Sequence, residues 1–391
     1  MHGDVSIVSS LFLIFTGAAV LATLALYSRQ PLIVAYIALG ALLGPYGFEM
    51  VTSARLLAEI AEFGIVFLLF LVGLDLPPRK LGNMFGETML TALGTTATFF
   101  GLGFGVMWAF GFTLLEASIT GLAAAFSSTI LGIKLLPTTV LHHRHVGELV
   151  ISLLLIQDLL AIFGLIVING SGTSLDATVA SLVESLLALP ILIGVAWALV
   201  KYVILPLLMR FDAFREFIFL LPLGWCLGLA SLADFIGLSY AIGAFVAGVS
   251  LATSPISQYI AESLRPLRDF FLVLFFFTVG AGIDPAVLID VLVPTLLLGV
   301  ALIAAKPAVF ALLLIWQGEE SRTSWEVGCR LGQLSEFSLL LAFTAVSSGL
   351  IGTHAAHVIE GATIVTLLIS SYLVIFRYPS PIAISDALRR D

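Results

Sequence analysis

Charge is what this sequence has least of. Asp, Glu, Lys and Arg make up 11% of its 391 residues, less than half of the roughly 25% usual in soluble domains, and that scarcity excludes a chain that keeps most of its surface in water. Cysteine is scarcer still. Cys226 and Cys329 are the only two and both fall in or near oily runs, which implies no disulfide framework and no metal site. The opening MHGDVSIV has no basic n-region, and no small-residue cleavage site follows a short apolar run, so the first run reads as a retained segment. Polar and apolar residues do not alternate over short segments, which excludes an outer-membrane barrel. No phosphate-cradling loop, nucleophile elbow or zinc motif stands in a convincing context. No cofactor and no nucleic-acid partner is therefore expected, and an enzyme is the least favoured class.

What the chain has instead is oil: 60% of its residues are hydrophobic and its mean hydropathy is +1.14. The reading is an all-α polytopic membrane protein whose main partner is the lipid bilayer. A span needs about 20 apolar residues, and charged or Pro/Gly/Asn-rich breaks leave about thirteen stretches. They lie near 5–27, 31–46, 54–75, 85–112, 115–136, 146–169, 176–208, 215–234, 238–253, 262–282, 286–316, 322–350 and 353–376, with a short tail at 377–391. If loops alternate between two sides, all of the Lys and Arg but Arg55 and Lys306 fall at or near one side, Arg29, Arg144, Arg210, Arg330 and Arg377 among them. By the positive-inside rule that side is the cytoplasm, with the N-terminus outside and the C-terminus inside. A miscounted span would scramble the sorting downstream of the error, so count and topology support each other.

The two halves of the chain resemble each other. EFGIVFLLFLVG (Glu62 to Gly73) aligns with DFFLVLFFFTVG (Asp269 to Gly280) at an offset of 207, and ALGA (Ala38 to Ala41) with AIGA (Ala241 to Ala244) at 203. Each pair is separated by an odd number of spans, so the partners run in opposite directions. That is an inverted-topology repeat, spans 1–6 (about 5–169) and 8–13 (about 215–376), with the seventh (about 176–208) as a linker. Such repeats are typical of secondary transporters, whose sites lie at the midplane between discontinuous helices.

Polar groups collect at that depth. The fifth stretch carries Ser127, Ser128 and Thr129 in AAAFSSTILG, and its repeat partner, the twelfth, carries Gln333, Ser335 and Glu336 in RLGQLSEFSLLL. Two readings stand: helix interruptions whose freed carbonyls coordinate a cation, or hydroxyls bonding back within intact helices. Gln157 and Asp158 interrupt ISLLLIQDLLAIFGLIVI, and Lys306 sits beside Pro307 in the eleventh stretch at similar depth. An ionisable group there costs roughly 2.5 to 3.5 kcal/mol even on lenient scales. Asp158 and Lys306 are expected near one another, either as a structural salt bridge or as a proton-linked site. His142, His143 and His145 in LHHRH are compatible with a solvated turn or a pH-sensing cluster, and His354 and His357 have metal-ligand spacing without a third ligand.

Six segments, FLVGLDLPPRKL, FSSTILGIKLL, LLLIQDLLAI, LSYAIGAFVAGVSLATS, FFFTVGAGID and RLGQLSEFSLLL, resemble in this order the membrane domain of the monovalent cation:proton antiporter family, specifically its Kef-type potassium:proton branch. The resemblance implies a thirteen-span protein of the cell (inner) membrane, a homodimer built from a dimerisation scaffold and a core domain in which two broken helices cross. By motif the crossing helices correspond to the fifth and twelfth stretches, the ion-binding carboxylate to Asp158, and the facing lysine to Lys306. The function implied is exchange of potassium, or sodium, for protons by an elevator movement. Gln157 stands where sodium:proton relatives often carry a second acid, which argues against a two-proton stoichiometry. Kef systems carry a soluble nucleotide-binding regulatory domain after the last span that is not in this sequence, so regulation would come from such a domain or a separate subunit. A cation channel and a sodium-coupled organic-anion symporter are the alternatives on a similar inverted repeat.

Overall fold

The structure, a computed structural model, describes residues 7–51, 53–75, 78–136, 145–169, 188–211, 214–252, 254 and 256–380. His142, His143, Arg144, the start of the expected linker and the tail from 381 lie outside the described residues. In chain order the helices are α1 (Ile7–Tyr27), α2 (Leu32–Leu43), α3 (Ala54–Asp75), α4 (Pro78–Ala109), α5 (Leu114–Ala125), α6 (Thr129–Lys134) and α7 (His145–Asn169). There follow α8 (Ala188–Arg210), which contains a π-turn at Val200–Ile204, then α9 (Arg215–Phe235), α10 (Tyr240–Ala252), α11 (Ser257–Ala281) and α12 (Pro285–Asp290). The last four are α13 (Leu292–Trp316), α14 (Ser321–Arg330), α15 (Glu336–Ser347) and α16 (Thr353–Arg377). Every regular element described is a helix, as hydrocarbon demands of a spanning chain with no closed sheet. Among the described residues six helices are long and apolar enough to cross a membrane, and five shorter ones, including α2, α5, α10 and α15, are equally apolar.

The chain divides into two compact units, one of residues 1–52, 84–164 and 279–391 and a second of 53–83 and 165–278. The second is held by an apolar core running from Phe67 and Phe70 of α3 through Leu208 and Cys226 to Leu251 of α10. Its helices approach through glycine. A Cβ on Gly248 of α10 would overlap the Phe70 carbonyl and crowd the Leu74 nitrogen, and one on Gly73 would meet the Phe245 carbonyl and the Val249 nitrogen. In the first unit a Cβ on Gly280 would run into the Ile37 carbonyl of α2. Gly73 and Gly280 are matched positions of the repeat, and each lets a backbone lie against its neighbour.

The first unit contains the two interruptions. Helix α5 starts on a capping box, with the Thr113 N–H donating to Glu116 Oε2 at 3.0 Å and the Glu116 N–H donating to Thr113 Oγ1 at 3.2 Å. It stops where Phe126 turns extended, φ −93 and ψ 151, and α6 resumes at Thr129. Likewise α14 stops at Arg330, and Ser335 is extended, φ −93 and ψ 155, before α15 begins at Glu336. The restarts at Thr129 and Glu336 stand 207 residues apart, the spacing that also relates Gly73 to Gly280. The residue before each is a serine that caps the new helix: the Leu131 N–H donates to Ser128 Oγ and the Phe337 N–H to Ser335 Oγ, both at 3.1 Å.

The glycine contact gives a direct expectation. Gly248→Ala should lower the thermal midpoint of the purified protein by several degrees, corresponding to an overpacking cost of about 1–3 kcal/mol. Gly228→Ala, where a Cβ meets nothing within 4 Å, should leave it within a degree or so by the same reasoning. Equal midpoints for the two variants would show that α3 and α10 are not packed this closely.

Candidate functional site

A helix that ends inside hydrocarbon leaves N–H and C=O groups without partners, and the two interruptions satisfy theirs mainly from each other. Ser127 Oγ donates to the Leu331 carbonyl at 2.9 Å, Gln333 Nε2 donates to the Ser128 carbonyl at 3.4 Å, and Ser338 Oγ donates to the Ala123 carbonyl at 2.6 Å. The breaks therefore meet, and of the two readings open in the sequence the structure takes the interrupted one.

Lys306 is fully buried on α13 and reaches into this meeting point. Its ammonium donates to the Phe126 carbonyl, to the Gln333 carbonyl at 3.0 Å and to Ser127 Oγ at 3.3 Å, with the Phe99 ring face 5.3 Å away. The carbonyls expected to coordinate a cation are thus occupied by the cation of a side chain. Of the two forms expected for Asp158 and Lys306, a salt bridge is not formed: Lys306 spends its donors on backbone carbonyls and a hydroxyl, and among the described residues no ion pair joins it to the carboxylate.

Asp158, 2% exposed, instead meets Thr129, whose hydroxyl lies 2.9 and 3.1 Å from its two oxygens. Glu336 is the like charge that acts on it. Thr129 is the first residue of α6, so the carboxylate sits by the amino end of that restarted helix, where the dipole favours negative charge. Lys306 sits by the carbonyl ends of the arrested ones. The two buried charges thus have different partners: the ammonium meets carbonyls of both breaks, and the carboxylate meets the hydroxyl of the first residue of α6. A carboxylate held this way, with one hydroxyl donor and no paired side-chain cation among the described residues, can accept a proton or a small monovalent cation.

Gln157 is placed differently from Asp158. Its Oε1 accepts from the Ser127 N–H at 3.1 Å and its Nε2 donates to the Ala125 carbonyl at 3.4 Å, so both polar ends are spent on the first break. Ser128 and Ser335 serve as caps. Gln333 contributes its carbonyl to Lys306, while its side chain donates to the Arg330 carbonyl at 2.9 Å.

Sequence reasoning passed over three supports. Thr366 on α16 accepts from the Leu334 N–H at 3.0 Å and Ser370 donates to Gln333 Oε1 at 2.7 Å. Their spacing of four, one face of a helix, was the available signal. Arg330, counted only as a cytoplasmic charge, is 1% exposed. It pairs with Glu326 at 2.7 Å and donates to the carbonyls of Leu135, just past α6, and Pro379 at 2.9 and 2.8 Å. A cavity of about 1540 Å³, lined by His145, Pro307, Trp325, Cys329 and Tyr378 among others, opens near the start of α14, and neither Asp158 nor Lys306 lines it. His145 there bonds Glu319 at 2.8 Å with Glu148 at 3.7 Å. The Glu319 hydrogen bond outweighs partial burial and raises the imidazole above its usual 6.5.

Comparison with known proteins comes to the same fold. The family described as "Sodium/hydrogen exchanger, transmembrane" matches residues 11–375. The chain is 31% identical over 352 residues to the iron transporter MagA of Paramagnetospirillum magneticum, covering 88% of this chain and 79% of that protein. It is 29% identical over 398 residues to K(+) efflux antiporter 5 of Arabidopsis thaliana, covering 96% and 66%. To the glutathione-regulated potassium-efflux system protein KefC of an Enterobacter species it is 30% identical over 380 residues, covering 93% and 59%. The chain thus spans less than two thirds of either potassium-efflux relative. Among solved structures, the sodium proton antiporter MjNhaP1 from Methanocaldococcus jannaschii superposes with a TM-score of 0.73 at 19% identity, covering 94% of this chain and 95% of that one.

Two expectations follow from the side chains. Lys306→Met leaves the Phe126 and Gln333 carbonyls without their donor at about 1–3 kcal/mol each, so the melting midpoint should fall well below that of the parent; an unchanged midpoint would mean the breaks do not depend on the ammonium. For His145 the raised value means its contribution is complete below the unfolded pKa and is lost as pH rises through the folded one. His145→Gln should therefore melt lower than the parent at about pH 5.5 and together with it at about pH 8.5, either side of the free imidazole's range. A gap that widened with pH would contradict the pairing with Glu319.

Proposed function

Since the chain belongs to the sodium/hydrogen exchanger family, and within it to the monovalent cation:proton antiporters of Kef type, we propose that it exchanges a monovalent cation, potassium in preference to sodium, for protons across the inner membrane. The observation that carries this reading is Asp158, a buried carboxylate bonded to Thr129 at the amino end of α6 and, among the described residues, with no side-chain cation paired to it. Such a group is neutralised by whatever positive species arrives. Proton and cation compete for the same oxygens, so a high proton concentration on one side empties the cation there, and exchange follows from that competition.

Lys306 takes a different part in this scheme from the one first expected. It is not a counter-ion displaced by an incoming cation; it holds the crossing together and keeps positive charge at the carbonyl ends while Asp158 cycles. The crossing changes facing when Asp158 is neutral and stays put when it is bare, because moving an uncompensated buried charge across hydrocarbon is costly. An elevator movement of the core against a scaffold, homodimerisation, the orientation with the N-terminus outside, and control by a regulatory domain or subunit complete the proposal. They are supported by the family and by the Lys/Arg sorting.

Cation-driven proton flux in proteoliposomes tests it. Asp158→Asn should reduce the flux to that of empty vesicles while leaving the protein folded, and exchange persisting at parental rate in that variant would sink the assignment. Titrating the parent with potassium, sodium and rubidium chlorides ranks the cations, and a sodium response with none to potassium would reverse the preference.

A further inference from the structure

Among the described residues Asp158 is not the only carboxyl group enclosed without a paired cation. On α16, one turn in from its start, His357 lies 3.1 Å through Nδ1 from Glu360 Oε2, the side chains being 6% and 13% exposed. The other ring nitrogen is already committed: the Asp284 backbone N–H donates to His357 Nε2 at 3.0 Å. A backbone donor pointing at Nε2 requires a lone pair there, which assigns the ring proton to Nδ1 and excludes the imidazolium from this arrangement. The ring is neutral, so the charge of the pair rests wholly on Glu360. That carboxyl group is either a buried anion whose close partner is uncharged or a carboxylic acid holding a proton. Burying a bare charge is the costlier of these by several kcal/mol.

The other titratable groups on elements packed against α16 do not cancel that charge. Asp284 and Asp290 flank α12 and are acids, with Asp284 capping the Ala286 N–H. Glu116, at the start of α5, is a third acid and accepts from the Gly352 N–H at 3.3 Å. Lys306 on α13 is committed to the breaks, Glu336 on α15 neighbours Asp158, and on α14 Arg330 is paired with Glu326 while Arg322 lines the cavity at the far end. Tyr36 is the titratable group of α2. His354 precedes the pair on an exposed edge of α16.

From Glu360 the buried face of α16 continues through Thr363 and Thr366 to Ser370, a rise of about 15 Å, and ends on the second break through the Thr366 and Ser370 bonds already described. The same break holds Lys306. The head of this polar face is thus Glu360 and its foot is the crossing.

We propose that Glu360, 3.1 Å from the neutral imidazole of His357, is a second proton-binding site of this transporter, gaining and losing a proton during the cycle as Asp158 does. The proposal rests on the exchange reading above. No covalent step is involved: a proton arrives from water at the start of α16, resides on Glu360, and leaves with its charge. Binding it removes a negative charge from the face that anchors the crossing. A two-proton stoichiometry, which Gln157 had argued against, would then have its second acceptor outside the Gln157–Asp158 pair.

The experiment uses the full chain in lipid. Infrared difference spectra across pH should contain a protonated-carboxyl band that titrates in Asp158→Asn and is lost when Glu360→Gln is added to it; a band that never titrates, or that persists in the double variant, overturns the proposal irrespective of transport. In proteoliposomes Glu360→Gln should shift or flatten the pH profile on the side where α16 begins by about one pH unit. A folded variant whose profile superimposes on the parent's overturns it as well. If Glu360→Gln does not fold, His357→Gln is read in the same two assays, since loss of the Nδ1 donor should also displace the titration. Failure of the exchange reading is distinct: Asp158→Asn then leaves flux intact, or the parent shows none, and the infrared arm still decides Glu360.

Discussion

Backbone groups that no water will satisfy are the constraint on which this structure depends. Two helices stop within the oily part of the chain, and each stop releases carbonyls on one side and N–H groups on the other. Almost every polar residue buried nearby answers one of those groups. Ser128 and Ser335 take N–H groups, Lys306 takes carbonyls from both breaks, and Gln157 takes one group of each kind. Thr366 and Arg330 extend the same service to the second break and to the end of α6. Once those demands are met, Asp158 is left by the amino end of α6 with one hydroxyl, and its readiness to bind a positive species is a result of everything around it being spoken for.

Much of this was legible in the sequence, and for a physical reason. A polar cluster in a long apolar run is conspicuous because hydrocarbon penalises it, so Ser127 to Thr129, Gln333 to Glu336, Asp158 and Lys306 all stood out, and the repeat said that the first two clusters belong together. The glycines of the repeat were visible as letters, and the structure shows what they permit.

What the sequence could not disclose was who bonds to whom. Depth along a span fixes one coordinate of a side chain and leaves the rotation of the helix free, which is why Asp158 and Lys306 at equal depth looked like partners. In the structure they have different partners. Gln157 looked like a lost acid and is a fastener of the first break. Thr366 and Ser370 were passed over because hydroxyls in an apolar helix usually bond back to their own turn, as Thr366 also does to the Thr363 carbonyl, and a spacing of four marks a shared face without saying what that face meets.

The matched serine caps carry a consequence for assembly. Ser128 and Ser335 do the same local job in two halves of one chain, but the bonds that tie the breaks together join residues 204 and 205 positions apart. Each cap can form as soon as its own helix restarts, whereas the crossing closes only when both halves of the chain are in place.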